Sequence, residues 1–177
     1  MNTPVKAIEL TGTSEGRFDF DVFFRAHYQR IARSIARITG DPSRAEDLAA
    51  EAFWKLWRNR KAQGTKAGGW VYRTAIRLGL NDLRRNQRQR RNEEQSNVLP
   101  APLNPEDAHA AAEEREHVRL ILASLDERQA ELLLLRVSGL SYSEVAAALD
   151  LNPASVGTLI SRAQQAFLKE YLKHYGQ

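Results

Sequence analysis

From residue 18 to the C-terminus the apolar residues of this chain recur every three or four positions, and no stretch alternates as a half-buried strand would. The period fails at Leu99-Pro100-Ala101-Pro102-Leu103-Asn104-Pro105. Each proline removes a backbone donor and turns the residue before it away from helix. An all-α chain interrupted in this way folds as two small helical domains joined by a flexible linker. The expected boundaries are 18–92 for the first domain, 93–105 for the linker and 106–177 for the second. The loss of apolar period already begins in the polar run 86–91.

In the first domain, Phe24, Tyr28, Ile31, Ile35 and Ile38 step by four, three, four and three, which predicts a helix over 19–39. Gly40-Asp41-Pro42 ends it. Ser43 then opens a second helix as its N-cap, with Glu46 closing a capping box; Ala45, Leu48, Ala49, Ala52, Phe53 and Leu56 form the inner face. A glycine-bearing loop, 63–69, precedes a third helix that starts near Trp70 and reaches at least Arg85. Three helices with short connections make a compact bundle. In the second domain Val118, Ile121, Leu122 and Leu125 form the stripe of a helix beginning near Glu106. Asp126 caps the next helix, and the unbroken Leu132-Leu133-Leu134-Leu135 asks for burial on several sides. Gly139 stops that helix, Ser141 and Glu144 form a capping box, and Pro153 suits the first position of the last helix.

Composition narrows the function. Hydrophobic residues make up 42% and charged residues 27%, a globular balance. The absence of cysteine excludes disulfides, thiolate metal sites and cysteine nucleophiles. His27 lies by the first helix's stripe and reads as a core or boundary residue. His109 and His117 are too far apart for a helical metal pair, and no strand precedes a glycine-rich phosphate loop. No metal, cofactor or catalytic constellation is therefore expected, and the chain does not read as an enzyme. Residues 1–17 lack the apolar core of a signal peptide, and no run approaches a membrane span. A cytoplasmic protein without membrane insertion is expected. The net charge of +4 conceals an asymmetry: residues 18–92 carry 17 Lys+Arg against 7 Asp+Glu, and residues 93–177 carry 7 against 13. The first domain suits a polyanion; the second, at −6, does not on its own.

Three constellations carry the functional signal. Residues 140–162 read as a helix-turn-helix: a short capped helix, the turn Asp150-Leu151-Asn152, then a longer helix. Ala146 and Ala147 permit close crossing, and Leu151 and Val156 fill the angle. Ser155, Gly157, Thr158, Ser161 and Arg162 would face a major groove, with one arginine to reach guanine or phosphate. The second signal is Trp70-Val71-Tyr72-Arg73 with Arg77, Arg84 and Arg85, aromatic rings and guanidinium groups suited to a single strand with exposed bases. For Trp70 alone a core anchor is the simpler role. The third is the helix carrying Glu46, Asp47, Glu51, Trp54 and Trp57. Acids are favoured in a first turn anyway, but so many aromatics on one short helix cannot all turn inward, and the surplus marks a protein interface.

Over about 20–172 the chain resembles the extracytoplasmic-function group of bacterial sigma factors. Ala45-Glu46-Asp47, Glu51, Phe53 and Leu56-Trp57 resemble the region that binds the polymerase clamp. Trp70-Val71-Tyr72-Arg73 and Leu83-Arg84-Arg85 resemble the stretch that melts and reads the −10 element. Leu125-Asp126-Glu127-Arg128-Gln129, Gly139-Leu140-Ser141-Tyr142-Ser143-Glu144-Val145-Ala146, Ser155-Val156 and Ser161-Arg162-Ala163 resemble the region that reads the −35 element. The resemblance implies core RNA polymerase and promoter DNA as partners, with an anti-sigma protein as regulator. By it, Glu46, Asp47, Leu48, Glu51 and Trp54 bind polymerase. Lys66, Trp70, Tyr72, Arg73, Arg77, Asn81, Arg84 and Arg85 meet the −10 strand, and Ser155, Gly157, Thr158, Ser161 and Arg162 meet the −35 duplex. The chain departs from the family at Ala50, where glutamine is usual, and at Arg77 and Asn81, where Asn and Asp are common. It departs again in the small residues Ala67-Gly68-Gly69, and at Gly157 and Leu159, positions usually basic. Two missing cations weaken the −35 phosphate contacts.

Two other readings compete. A stand-alone helix-turn-helix regulator explains residues 140–162 but leaves both first-domain signals idle, and it expects a basic recognition domain. An adaptor that uses both bundles only for protein contacts is at odds with the +10 first domain.

Overall fold

The structure, a computed structural model, describes residues 13–14, 17–95 and 106–176. Most of the linker, and nearly all of the N-terminal stretch searched for a signal peptide, lie outside the described residues. A minimal antiparallel ladder, β1 (Thr13–Ser14) with β2 (Arg17–Phe18), pairs Thr13 with Phe18. The helical reading does not anticipate it. The other regular elements are α1 (Phe20–Thr39), α2 (Pro42–Arg58), a 3-10 turn at Arg60–Ala62, α3 (Ala67–Gln95), α4 (Glu106–Ser124), α5 (Glu127–Val137), α6 (Tyr142–Leu149) and α7 (Pro153–Tyr175). The all-α, two-domain architecture is as expected. Among the described residues no helix is long and apolar enough to cross a membrane.

Helices α1, α2 and α3 form the first bundle. The Asp19 carboxylate caps α1 by accepting the Val22 N–H at 3.1 Å. Ile31, Ile35 and Ile38 point into the core as expected, but at the start of the helix Phe23 and His27 lie deepest. Phe24 and Tyr28 stand at the edge, where Phe24 meets Phe53 at 4.9 Å between ring centres. His27 is a core histidine, 4.4 Å from the Phe23 ring.

Two element starts differ from the sequence reading. Asp41, not Ser43, caps α2; its carboxylate accepts the Arg44 N–H at 3.0 Å. Pro42 is the reason. It has no N–H to lose and its φ is already helical, so the helix begins there and Ser43 falls inside the first turn. Helix α3 begins at Ala67 and runs to Gln95, about 43 Å at 1.5 Å per residue. The polar run assigned to the linker's approach is thus helical, supported by contacts such as Gln89 to Glu93 at 3.0 Å.

Helices α4 to α7 form the second body. Ile121, Leu122, Leu125, Leu132, Leu135, Val145, Val156 and Ile160 fill it. The Asp126 cap and the Ser141–Glu144 capping box are both present, and Asn152 with Pro153 opens α7. Ala146 is buried in the crossing of α6, as expected. Ala147 instead faces solvent, and the small residue that matters on α6 is Ala148.

The two bodies touch. Helix α3 lies along α4, α5 and α6, and the buried apolar residues of both bodies form one cluster. At the closest approach a Cβ on Gly69 would lie 3.1 Å from the Ala148 Cα, so only glycine fits there without displacement.

Candidate nucleic-acid interfaces

On α2 the inner face is taken by Leu48, Ala49, Ala52, Phe53 and Leu56. Glu46, Asp47, Glu51 and Trp54 are left on the outer surface. Trp54 is about half exposed and Arg58 lies 4.7 Å over its ring. Trp57, one turn on, is exposed as well and extends the same acidic-aromatic surface. Leu48, which the resemblance groups with the polymerase-binding residues, lies where the helical stripe puts it: it is a core residue that supports this face from beneath, in line with Ala52 and Leu56.

That surface is tied down by a carboxylate the sequence reading passed over. Asp82 of α3 is buried and accepts from Arg44 at 2.8 Å, Arg85 at 3.0 Å and Asn86 at 3.2 Å. The hydrogen bond to Asp82 raises the Arg44 pKa. Arg44 in turn lies 4.0 Å from Asp47. The signal available in the sequence was an acid amid arginines, at the i+3 spacing from Arg85.

Helix α3 gathers most of the residues expected to meet a single strand, but few lie open. Lys66 and Asn81 are exposed, and Arg85 stays largely exposed beside Asp82. Trp70 is half-buried against the core, its simpler role. Tyr72 is fully buried, its hydroxyl has no hydrogen-bond partner, and burial pushes its pKa up to about 12. Arg73, Arg77 and Arg84 reach across to the second body. Arg73 lies 3.8 Å from Glu131 and 3.4 Å from the Ala148 carbonyl. Arg77 pairs with Glu131 and, at 3.4 Å, with Glu127. Arg84 donates at 3.1 Å to the carbonyls of both Ala123 and Leu125.

In the helix-turn-helix, Asp150 takes a left-handed conformation at φ 54° and turns the chain into α7. Val156 is fully buried in the angle and Leu151 packs against the same cluster. Ser155, Thr158, Ser161 and Arg162 share the solvent face of α7. Gly157 lies lower, where a Cβ would come 3.4 Å from the Tyr142 ring. No cluster of three metal-ligating side chains occurs among the described residues.

Comparison with known proteins places two family models on the chain. Residues 23–89 match the family model "Sigma-70 region 2", and residues 115–167 match "Sigma-70, region 4". The chain is 30% identical to the ECF RNA polymerase sigma factor SigE of Mycolicibacterium smegmatis, over 97% of this chain and 69% of that protein. It is 30% identical to the RNA polymerase sigma-H factor of Pseudomonas aeruginosa, over 85% of this chain and 84% of that one. Its fold resembles that of CnrH in complex with the cytosolic domain of CnrY, with a TM-score of 0.54, 18% identity and 85% of each chain covered.

Proposed function

The chain belongs to the extracytoplasmic-function group of RNA polymerase sigma factors, proteins that bind core RNA polymerase and direct it to promoters, and we propose how its surfaces divide that work. Residues 18–92 engage the polymerase clamp and the −10 element; residues 106–177 read the −35 element. Glu46, Asp47, Glu51 and Trp54 of α2, with Trp57 beside them, dock on polymerase. Trp54 and Trp57 stay more than half exposed beside the carboxylates, and that observation supports the docking role most directly.

The N-terminal part of α7 enters the −35 major groove. Ser155, Thr158 and Ser161 allow close approach, and Arg162 supplies the long reach. Gly157 contributes by being small rather than by bonding. Helix α3, with Lys66 at its entry, receives the unstacked −10 strand through Trp70, Tyr72, Arg73, Arg77, Asn81, Arg84 and Arg85. Extruding a base costs a few kcal/mol, which stacking and phosphate contacts must offset. Polymerase performs the chemistry, so the chain needs no catalytic residue, and the protein acts in the cytoplasm. An anti-sigma protein is its proposed regulator, as the family resemblance implies.

Photo-cross-linking tests this division. Benzoylphenylalanine at Asn81 and at Thr158, both exposed, is introduced into the full chain assembled with core polymerase on a promoter mapped from its own transcripts. The Asn81 probe should label the −10 non-template strand and the Thr158 probe the −35 duplex. Transcript formation with neither strand labelled at those places would contradict it.

A further inference from the structure

The second domain meets the basic face of the first with its own concentrated negative charge. Arg30 of α1 donates to the Ser138 carbonyl at 2.7 and 3.1 Å, at the C-terminal end of α5. Arg73 reaches the Ala148 carbonyl at the end of α6, and Arg84 reaches the carbonyls of Ala123 and Leu125 at the end of α4. Three arginines of one domain thus each close the C-terminus of a different helix of the other. Those ends carry unsatisfied carbonyls and roughly half a negative charge each. Between them stands Glu131, only 1% exposed, with Arg73, Arg77 and Arg128 around it.

The expected −10 face is therefore already occupied by an anionic surface. We propose that the second domain is an intramolecular stand-in for the −10 strand: Glu131 and the carbonyl ends of α4, α5 and α6 take the places of phosphates on the arginines of α1 and α3, holding the free sigma factor shut. The proposal rests on the reading of α3 as the −10 face. Two elements some 25 base pairs apart lie about 85 Å apart along a duplex at 3.4 Å per step. A molecule in which Gly69 touches Ala148 cannot read both, so the closed form is inactive by geometry as well as by charge.

The closure is poised rather than locked. Burying charged pairs costs nearly what their attraction returns. Glu131 Oε2, Arg73 Nε and the Tyr72 hydroxyl are buried without hydrogen-bond partners. Arg77 and Arg128 keep part of their surface in water, so a polyanion can approach them. Opening would free Arg30, Arg73, Arg77 and Arg84 together.

The chain has no cysteine, so Gly69→Cys with Ala148→Cys introduces a single pair. A Cβ at Gly69 lies 3.2 Å from that of Ala148, and the few tenths of an ångström by which α6 must give to admit it bring the pair into the roughly 3.5–4.5 Å of a disulfide. The full-length variant should cross-link under mild oxidation without denaturant. Apparent affinity scales with the open fraction, so the oxidised form should bind a fluorescent random-sequence single strand about tenfold more weakly than its reduced form. Glu131→Gln in the parent chain should strengthen that binding several-fold at equal salt. Failure of the pair to cross-link in the folded protein overturns the closed state. Equal binding by oxidised, reduced and Glu131→Gln forms, including no binding by any, overturns the masking. If the Asn81 probe still labels the −10 strand in holoenzyme, the −10 reading survives that failure; if latch behaviour persists and the label is lost, the −10 reading fails instead.

Discussion

The guanidinium of Arg77, on the helix read as the −10 face, is ion-paired with Glu131, a carboxylate that the second domain buries almost completely. The pair gives the sequence's charge asymmetry a physical meaning. A basic first domain and an acidic second domain are complementary to each other before either meets DNA or polymerase.

Asp47→Arg reverses a charge on an exposed part of α2 whose nearest cation, Arg44, is held by Asp82. Polymerase binding should fall by more than about tenfold, in the range of one charged interface contact. The thermal midpoint should stay within a degree or two of the parent, since surface changes are about ±0.5 kcal/mol. Gel-filtration binding and melting curves read the two quantities separately. Binding equal to the parent's would place the docking face elsewhere.

Arg162→Ala should leave polymerase binding unchanged and weaken initiation from promoters that use a −35 element by about 1–3 kcal/mol, roughly five- to 150-fold. Arg162 is exposed on α7, apart from the core residues Ile160 and Ala163. Competition between promoters with and without a −35 element is the measurement. An equal loss on both would mean that the residue acts through stability.

Asp82→Ala removes the acceptor shared by Arg44, Arg85 and Asn86. Both arginines keep contact with water, so the cost should be about 2 kcal/mol, below that of a fully buried pair. The melting midpoint should drop by about 4–8 °C. A drop of less than a degree would show that the triad contributes nothing to holding α2 on α3.

Tyr72→Phe removes a buried hydroxyl that has no partner. Stability at neutral pH should be unchanged or higher by up to about 1 kcal/mol. Burial pushes the Tyr72 pKa up to about 12, whereas the unfolded phenol titrates near 10. The folded state thus favours the neutral phenol. Its contribution is intact below pH 10 and is lost as pH rises from about 10 to 12, by up to ~1.4 kcal/mol per unit. Melts at pH 9 and pH 11 should show a steeper alkaline loss in the parent than in Tyr72→Phe. If the variant also initiates poorly, the hydroxyl finds its partner in the open complex.

Much of this was legible in the sequence because it is local. Caps, helical stripes and the turn at Asp150 are set by residues within a few positions of one another, and they stand where Asp126, Ser141, Glu144 and Pro153 put them. Phe24, Tyr28 and Ala147 were misplaced by less than a turn, since a periodic stripe does not say where its edge falls. Pro42 moved a cap by two residues through its own geometry. The contacts of Arg30, Arg73, Arg77 and Arg84 were not legible. They join residues between 39 and 108 positions apart, and no spacing rule relates an arginine to the carbonyl end of a distant helix. The charge excess revealed that α3 would seek an anion, but not that the chain carries one.

The most direct single measurement is gel filtration of the purified full-length protein with core bacterial RNA polymerase at moderate salt. A sigma factor should co-elute with polymerase as a stable one-to-one complex. A protein that elutes alone while still shifting duplex DNA would contradict this reading and leave the acidic, tryptophan-bearing face of α2 in search of another partner.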